Sequence, residues 1–273
     1  MKPYLIIPLL MKMSFLVAAS ISELSSYPDF CAQAAKNDEI FADFKRAPQY
    51  QSVLEHVSYD QGKDYLKILK NKYPQLLESI NKCKENDLLG NPIQFNFGRK
   101  IGNVAPTTLR YMKVSGDLTH LFGELKNKNI IEIGGGYGGQ CKILSTLTSF
   151  AKYTIVDLPE AGLLAEKYLK LLNVDNVFIE SSESFVGAPH YDLVISNYAF
   201  SEISRDEQIQ YIEKILNRSN CGYMTYNFTS DYYGINSLTL NELLDLLKIP
   251  NRDIQMLAED PLTAPDNIII VWK

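Results

Sequence analysis

The sequence is poor in cysteine, and this shortage excludes several classes of protein. Its 273 residues include four cysteines, none of them in a Cys-x-x-Cys pair. The cysteines are not spaced in the pairs that a zinc site needs, and they do not form the pattern of a disulfide framework. This distribution indicates a reducing compartment, which we expect to be the cytoplasm. No compact Asp/Glu/His cluster demands a metal either, and none is expected.

The first twenty residues lack the continuous apolar stretch of a signal peptide or a membrane span. Pro8 and Lys12 interrupt it, whereas a signal peptide needs an unbroken apolar core and a membrane helix needs about 20 apolar residues. We therefore expect no stable membrane insertion. Residues 1–26 are expected to be a leader that is poorly ordered or whose start is misassigned, in which case Met11 or Met13 is the true start.

An overall positive charge is also lacking. The formal net charge is −5, and no dense run of Lys and Arg occurs. Because nucleic-acid-binding proteins carry a basic face, no nucleic-acid partner is expected. Hydrophobic residues make up 46% of the chain and charged residues 22%, which is typical of a globular protein with a full core.

The N-terminal third has helical periodicity. Between about Asp29 and Asp87, apolar residues recur at spacings of three and four. The segment 91–107 contains Gly, Pro and Asn and is predicted to be a connection. We therefore expect a helical N-terminal extension over 27–105 and a second unit over 106–273.

Strands and helices alternate in the second unit. This alternation is typical of an α/β fold with a doubly wound, mostly parallel sheet. The last two of seven strands are joined by residues 259–266, which is too short for a helical crossover, so this pair is expected to be antiparallel. The predicted strands are Asn129–Ile133, Tyr153–Asp157, Val177–Ser181, Tyr191–Ser196, Gly222–Asn227, Ile254–Ala258 and Asn267–Trp272.

A glycine-rich turn between the first strand and its helix is the strongest signal. Five glycines in six positions permit a tight bend and a close approach of the backbone to a ligand. Gly134, Gly136 and Gly139 satisfy the dinucleotide pattern G-x-G-x-x-G. However, Glu132 lies two residues earlier, and its carboxylate would repel a pyrophosphate at the helix N-terminus. The positively charged sulfonium and ammonium of S-adenosylmethionine suit the Glu132 carboxylate better than a pyrophosphate does. A tight turn that binds no ligand is the remaining alternative.

Several further residues are predicted to contact this cofactor. Asp157 ends the second strand, where an acidic residue can accept both ribose hydroxyls; its alternative role is a helix N-cap before Pro159. Arg110 could pair with the cofactor carboxylate or form a surface salt bridge. The predicted cofactor contacts are Glu132, Gly134, Gly135, Gly136, Tyr137, Gly138, Gln140, Asp157, Leu158, Ser182, Asn197 and Arg110.

From Tyr27 to Trp272 the sequence resembles the bacterial sugar O-methyltransferases that are linked to surface polysaccharides. The glycine loop indicates a methyltransferase, and the N-terminal matches point to this group. The resemblance implies a class I, Rossmann-like fold, S-adenosylmethionine as cofactor, and methyl transfer to a sugar hydroxyl in polysaccharide biosynthesis. The matching segments are Phe44-Lys45-Arg46, Leu54-Glu55-His56-Val57, Pro106-Thr107-Thr108-Leu109-Arg110-Tyr111, Glu132 to Gln140, Val156-Asp157-Leu158-Pro159-Glu160, Ser196 to Glu202, and Pro261 through Trp272.

Methyl transfer from a sulfonium is an in-line displacement that depends on positioning the acceptor oxygen. A sugar hydroxyl is a poor nucleophile, so a nearby base should help. Glu202 follows the fourth strand, where open α/β sheets bind ligands, and is the candidate base. Many O-methyltransferases of this fold have a His-Asp pair here, and this chain has Ser201-Glu202 instead. Glu202 could equally cap the next helix or pair with Arg205.

The acceptor is expected to be a small molecule or a glycan. Tyr198, Tyr226 and Asn227 lie at strand ends and are candidate acceptor contacts, because tyrosine rings stack on sugars and their polar tips bind hydroxyls; core packing is the alternative. The three histidines, His56, His120 and His190, are expected to be surface or packing residues.

Two other functions stay open. The acceptor atom could be a nitrogen or a phenolic oxygen, or the chain could be a non-catalytic cofactor-binding protein. The glycine loop does not distinguish between these functions, because it contacts only the cofactor. A homo-oligomer is also left open.

Overall fold

The computed structural model describes residues 20–273. One seven-stranded sheet lies at its centre, with helices on both faces and a two-stranded hairpin in the extension. The strands are β1 (Phe95–Asn96), β2 (Asn103–Val104), β3 (Asn129–Ile133), β4 (Lys152–Asp157), β5 (Val177–Ser181), β6 (Tyr191–Asn197), β7 (Ser219–Tyr226), β8 (Ile254–Ala258) and β9 (Ile268–Trp272).

Ten α-helices are present in residues 20–273, with short 3-10 turns between them. They are α1 (Tyr27–Lys36), α2 (Asp38–Ala42), α3 (Pro48–Gln51), α4 (Tyr59–Lys72), α5 (Ile80–Cys83), α6 (Pro106–Phe122), α7 (Gly139–Leu147), α8 (Pro159–Leu171), α9 (Arg205–Lys214) and α10 (Leu240–Leu247). No helix of this part of the chain is long and apolar enough to cross a membrane.

The strand order in the large sheet is β5-β4-β3-β6-β7-β9-β8. The first five strands of this order are parallel, and β9 runs antiparallel to both β7 and β8. The prediction of a mostly parallel, seven-stranded sheet with an antiparallel final pair is therefore confirmed. The order reverses between β3 and β6, and such a switch point is where open α/β sheets bind ligands.

Alternation along β3 explains how the sheet is covered on both faces. Successive side chains of a strand point to opposite faces. Ile131 and Ile133 pack into the core under α9 and α10, whereas Ile130 packs into the core under α6, α7 and α8. Glu132 shares the second face with Ile130 and is the one charged residue of the strand. A carboxylate is thereby built into an apolar core.

Helix boundaries follow local signals. A capping box starts α4, in which Ser58 Oγ accepts from the Gln61 amide and the Gln61 side chain accepts from the Ser58 amide. A second capping box, formed by Thr239 and Glu242, starts α10. In the predicted helical segment, the structure has several short helices, and Pro48 is one of the points where a new helix begins.

Two boundaries differ from the sequence prediction. The connection predicted up to residue 107 ends earlier, because Pro106 occupies the first turn of α6. Of the predicted leader, residues 1–19 lie outside the described residues. Ser20 forms a β-bridge with Ile203, and the Ile21 amide donates to the Glu202 carbonyl at 3.0 Å. The last part of that leader is therefore packed against the sheet unit.

The extension and the sheet share one hydrophobic core. Tyr27 and Phe44 from the extension belong to the same buried cluster as Tyr137 and Tyr168. Lys45 is buried within it, with its Nζ 2.6 Å from the Asn86 carbonyl. Nζ also lies 4.2 Å from the centre of the Tyr137 ring, and burial lowers the Lys45 pKa to about 8. A buried ammonium held in this way fixes the extension against α7 and α8.

Replacing Lys45 is expected to destabilise the protein. Lys45→Ala removes one of the two donors to the Asn86 carbonyl, the other being the Tyr168 hydroxyl, and opens a cavity. Together these losses should lower the free energy of unfolding by about 2–4 kcal/mol. Thermal or urea unfolding measures this difference. Lys67→Ala removes an exposed lysine from the same extension and should stay within about 0.5 kcal/mol. Equal effects of the two substitutions would contradict this role of Lys45.

Candidate active site

A cavity of about 250 Å³ lies at the carboxyl ends of β3, β4, β6 and β7. Gly134, Gly135 and Gly136 form its floor, Asp157 and Asn197 lie at the ends of β4 and β6, and the N-terminal extension covers it. This is the switch point of the strand order, which makes the cavity the candidate ligand site.

The glycine loop leaves no room for side chains. Gly134 and Gly136 have φ values of 72° and 56°, in the left-handed region that favours glycine. A Cβ on Gly134 would overlap the side chain of Ala199, and one on Gly136 would lie 2.5 Å from Leu54 Cδ1. Glycine is thus required here both by the backbone and by the neighbours above the loop.

Asp157 fixes the glycine loop. Its Oδ2 accepts from the Gly136 amide and its Oδ1 from the Leu158 amide, both at 2.7 Å. Burial raises the Asp157 pKa to about 6, although both hydrogen bonds act in the opposite direction. The N-cap position of α8 belongs to Leu158, without a side-chain cap, so the alternative role of Asp157 as the cap is wrong. Its carboxylate also lines the cavity.

Glu132 is a buried carboxylate without a cationic partner. It is 2% exposed, and its Oε2 accepts from the Tyr153 hydroxyl at 2.8 Å. Burial raises the Glu132 pKa to about 8, and the bond from Tyr153 offsets only part of this rise. No lysine or arginine of residues 20–273 forms an ion pair with it. A positively charged ligand group would supply the missing partner.

The cavity continues into a second, smaller pocket. Gly134, Asp157 and Glu202 line both, and the second pocket adds Leu158 and Ser182. An elongated ligand could therefore extend from the glycine loop past the end of β4 toward the end of β5. The structure thus places the predicted contacts Leu158 and Ser182 beside those of the glycine loop.

Three predicted cofactor contacts do not line the cavity. The Tyr137 side chain lies in the core, with its ring centre 4.8 Å from that of Tyr168. Gln140 is also buried, and its Nε2 donates to Ser115 Oγ at 2.9 Å. Gly138 is the left-handed N-cap of α7. At this start of the helix, the Gln140 side chain points toward α6 and the Tyr137 ring packs against Phe44 of the extension.

Glu202 reaches the cavity from the turn after β6. Its Oε1 accepts from Asn227 Nδ2 at 2.5 Å, and burial raises its pKa. The two alternative roles are wrong, since Arg205 pairs with Glu242 and the N-cap of α9 is Ser204. Glu202 and Asn227 are therefore a hydrogen-bonded pair in the cavity wall.

The two predicted acceptor tyrosines have different positions. Tyr198 lines the cavity, with its hydroxyl bonded to Glu259 and 3.1 Å from Thr263 Oγ1. Its φ of 71° is unusual for a bulky residue and is a form of strain that often marks functional sites. Tyr226 instead packs under α10, where its hydroxyl donates to the Leu238 carbonyl at 3.1 Å. Tyr226 does not line the cavity, because it points to the opposite face of β7.

The extension contributes cavity residues that the sequence prediction missed. His56, Gln61 and Tyr65 line the cavity. His56 is exposed at its edge, and its pKa is lowered by partial burial and by the positive charge of Arg110. The family resemblance at Leu54-Glu55-His56-Val57 was the one sequence signal that pointed to this segment. Helical periodicity alone does not show which turn of a helix covers a site. His120 and His190 do not line the cavity.

Two donors of the cavity wall have no partner in residues 20–273. Arg110 is 7% exposed, and its Nε makes no hydrogen bond. Asn197 Nδ2 is also buried without a partner, although Asn197 lies close enough to Glu132 to lower its pKa. Unsatisfied buried donors are costly, so both atoms indicate that a ligand completes the site. Within this range, no group of three or more His, Cys, Asp or Glu side chains could hold a metal ion.

The Glu132 carboxyl should make stability depend on pH. Its folded-state pKa of about 8 lies above its ordinary value of 4.5, so the unfolded chain loses this proton first and stability falls as pH rises between these values. Glu132→Gln removes the titration, and its melting temperature should exceed that of the wild type increasingly from pH 5 to about pH 8. Glu124→Gln, at an exposed position, is the control. A pH-independent difference would contradict the assignment.

Comparison with protein-family models and with curated proteins finds no match. Among solved structures, the chain is similar to a SAM-dependent methyltransferase from Aquifex aeolicus, with 15% identity over 58% of this chain and 87% of that one, at a TM-score of 0.43. It is also similar to an S-adenosylmethionine-dependent methyltransferase from Mesorhizobium loti, with 12% identity over 57% and 95% of the two chains, at a TM-score of 0.45. At these identities the similarity does not assign an acceptor or a catalytic residue.

Proposed function

We propose that the protein is an S-adenosylmethionine-dependent O-methyltransferase that acts on a sugar hydroxyl in surface polysaccharide biosynthesis. The observation that carries the cofactor is Glu132, a buried carboxylate without a cationic partner beside the glycine loop. A pyrophosphate would be repelled there, whereas the ammonium of S-adenosylmethionine would be attracted. The resemblance to sugar O-methyltransferases supports the acceptor class.

The cavity residues fit the remaining parts of this cofactor. Each oxygen of Asp157 has a further lone pair beyond its amide bond and can accept a ribose hydroxyl. The glycine loop allows the backbone to approach the ligand closely. Leu158 and Ser182 line the adjoining pocket, which would receive the adenine ring in this arrangement. When bound, the cofactor supplies an electrophilic methyl group.

Glu202 is the proposed base for the acceptor hydroxyl. As the oxygen–carbon bond forms and the carbon–sulfur bond breaks, the hydroxyl proton passes to the Glu202 carboxylate. Burial raises the Glu202 pKa toward the range in which a base works well near neutral pH. The hydrogen bond from Asn227 holds the carboxylate toward the cavity. Tyr198, with its hydroxyl bonded to Glu259, would position the sugar ring beside it.

Cofactor binding is the first test. Calorimetric titration should show binding of S-adenosylmethionine and S-adenosylhomocysteine and none of NADH. Asp157→Ala should weaken binding of both sulfur nucleotides at least about 30-fold, because it removes ribose contacts and the support of the loop. Asp175→Ala removes an exposed aspartate in the turn before β5 and should bind like the wild type. Folded protein that binds neither sulfur nucleotide would overturn the proposed function.

The role of Glu202 is tested with a panel of nucleotide sugars as acceptors. Glu202→Gln should lower kcat by about 10²–10⁴-fold while the cofactor Kd changes little, because the amide keeps the shape but accepts no proton. The wild-type rate should rise with pH as the Glu202 carboxyl loses its proton, and this rise should be absent in the variant. Glu183→Gln, at an exposed position, is the matched control. An unchanged kcat in Glu202→Gln would exclude it as the base.

A further inference from the structure

Glu259 is a buried carboxylate in the loop between β8 and β9. It is 7% exposed, and no lysine or arginine of residues 20–273 forms an ion pair with it. Its oxygens instead accept hydrogen bonds from three neighbours. Thr263 donates through its amide at 2.8 Å and its hydroxyl at 2.7 Å, Asn267 donates through Nδ2 at 3.1 Å, and Tyr198 donates through its hydroxyl. These donors take the place of a cation.

The group around Glu259 uses the protons of both hydroxyls. A hydroxyl has one proton and two lone pairs, and Tyr198 and Thr263 both donate to the Glu259 carboxylate. The two hydroxyl oxygens are also 3.1 Å apart, and a proton placed between them stays inside the same group. Turning either proton toward the cavity would leave the buried carboxylate with one donor fewer, which is costly.

Asn267 follows the same pattern. Its Nδ2 has two protons and donates to Glu259 and to Thr263 Oγ1, at 3.1 Å each, so its remaining polar group is the carbonyl oxygen. Tyr198, Thr263 and Asn267 all line the cavity, and together they form what we call the lone-pair wall. Beyond the bonds within this group, the side chains of the wall can offer a ligand only lone pairs. A hydrogen-bond donor suits such a wall, whereas an oxyanion does not.

The lone-pair wall and the adenine pocket lie toward opposite ends of the sheet. The strand order places β5 and β4 at one end and β9 and β8 at the other. Asp157 ends β4, whereas Glu259 directly follows β8 and Asn267 directly precedes β9. Leu158 and Ser182 line the smaller pocket, and no residue of the wall does so. A cofactor that extends from the glycine loop toward β5 therefore leaves the wall to the methyl acceptor.

We propose that Glu259 determines acceptor specificity by holding Tyr198 and Thr263 as hydrogen-bond acceptors. The methyl acceptor is then a neutral sugar, bound through the protons of free hydroxyls other than the one that is methylated. This inference rests on the proposed function and deepens it. Glu202 fits the same arrangement, because Asn227 donates to it and an ionised carboxylate only accepts. A carboxylate or keto group of the sugar would set lone pairs against the lone pairs of the wall.

Sugar analogues that differ only in their capacity to donate test the wall. Methyl glycosides of glucose, galactose, mannose and rhamnose are titrated into the protein with and without S-adenosylhomocysteine, and saturation-transfer NMR measures each Kd. The tightest glycoside is compared with its deoxyfluoro analogues, because fluorine replaces a hydroxyl at similar size and cannot donate. We expect at least one fluorine substitution to weaken binding at least about 10-fold. Equal binding of all these analogues, or binding of none of the glycosides, would overturn the proposal.

Substitution of Glu259 tests its role in this discrimination between hydroxyl and fluorine. In Glu259→Gln the amide nitrogen can donate to the Tyr198 oxygen, which frees the phenol proton for the cavity, so the discrimination should fall below about 3-fold. The S-adenosylhomocysteine Kd should also change less than about 3-fold, because the cofactor contacts are distant. Tyr198→Phe should lower the discrimination in the same way, and the double variant should add little to either single change.

The controls separate specificity from folding. Glu213→Gln, at an exposed position, should keep the discrimination of the wild type, and thermal unfolding shows which variants are folded. If Glu259→Gln does not fold, the result for Tyr198→Phe decides. A folded Glu259→Gln that weakens the glycoside and its fluoro analogue by the same factor has only a structural defect, and this result would overturn the proposal. Discrimination between the sugars without any S-adenosylhomocysteine binding would uphold the wall and refute the proposed function.

Discussion

The two hydrogen bonds from one carboxylate, that of Asp157, hold the ligand-binding loop in place. They join the end of β4 to the Gly136 and Leu158 amides, and so connect the loop after β3 with the start of α8. The parallel register of β3 and β4 brings these groups to one level at the edge of the sheet. Without this connection, a loop in which alternate glycines have positive φ would have several conformations of similar energy.

Buried charge is the second constraint on the molecule. Glu132, Arg110 and Lys45 are all buried. Lys45 donates to a carbonyl and lies over aromatic rings, Glu132 accepts from the Tyr153 hydroxyl, and Arg110 lies over the Tyr111 ring. Glu132 and Arg110 both line the cavity, and neither forms an ion pair within the described residues. A core can tolerate such groups when a ligand completes them. The cavity therefore contains one acidic and one basic buried group, and a ligand that carries both an ammonium and a carboxylate could complete both.

Much of the sheet could be predicted from the sequence because each strand is a short apolar run that ends in a turn. The bounds of β5 and β8 agree with the prediction residue for residue. Side-chain direction was harder to predict. Tyr137 lies within the glycine loop and Gln140 directly after it, but both side chains point into the core. Tyr226 points to the face of β7 that lies away from the cavity. The cover of the cavity depends on long-range packing, which no local pattern of the extension reveals.

The close contact between Leu54 and Gly136 links two segments that are far apart in the chain. Leu54 belongs to the cover, and Gly136 belongs to the floor. A larger residue at either position would press on the other, so the two surfaces cannot diverge independently during evolution. Substitutions in the extension that change the acceptor specificity would have to preserve the shape of the glycine loop. We therefore expect substitutions at Leu54 and Gly136 to occur in pairs.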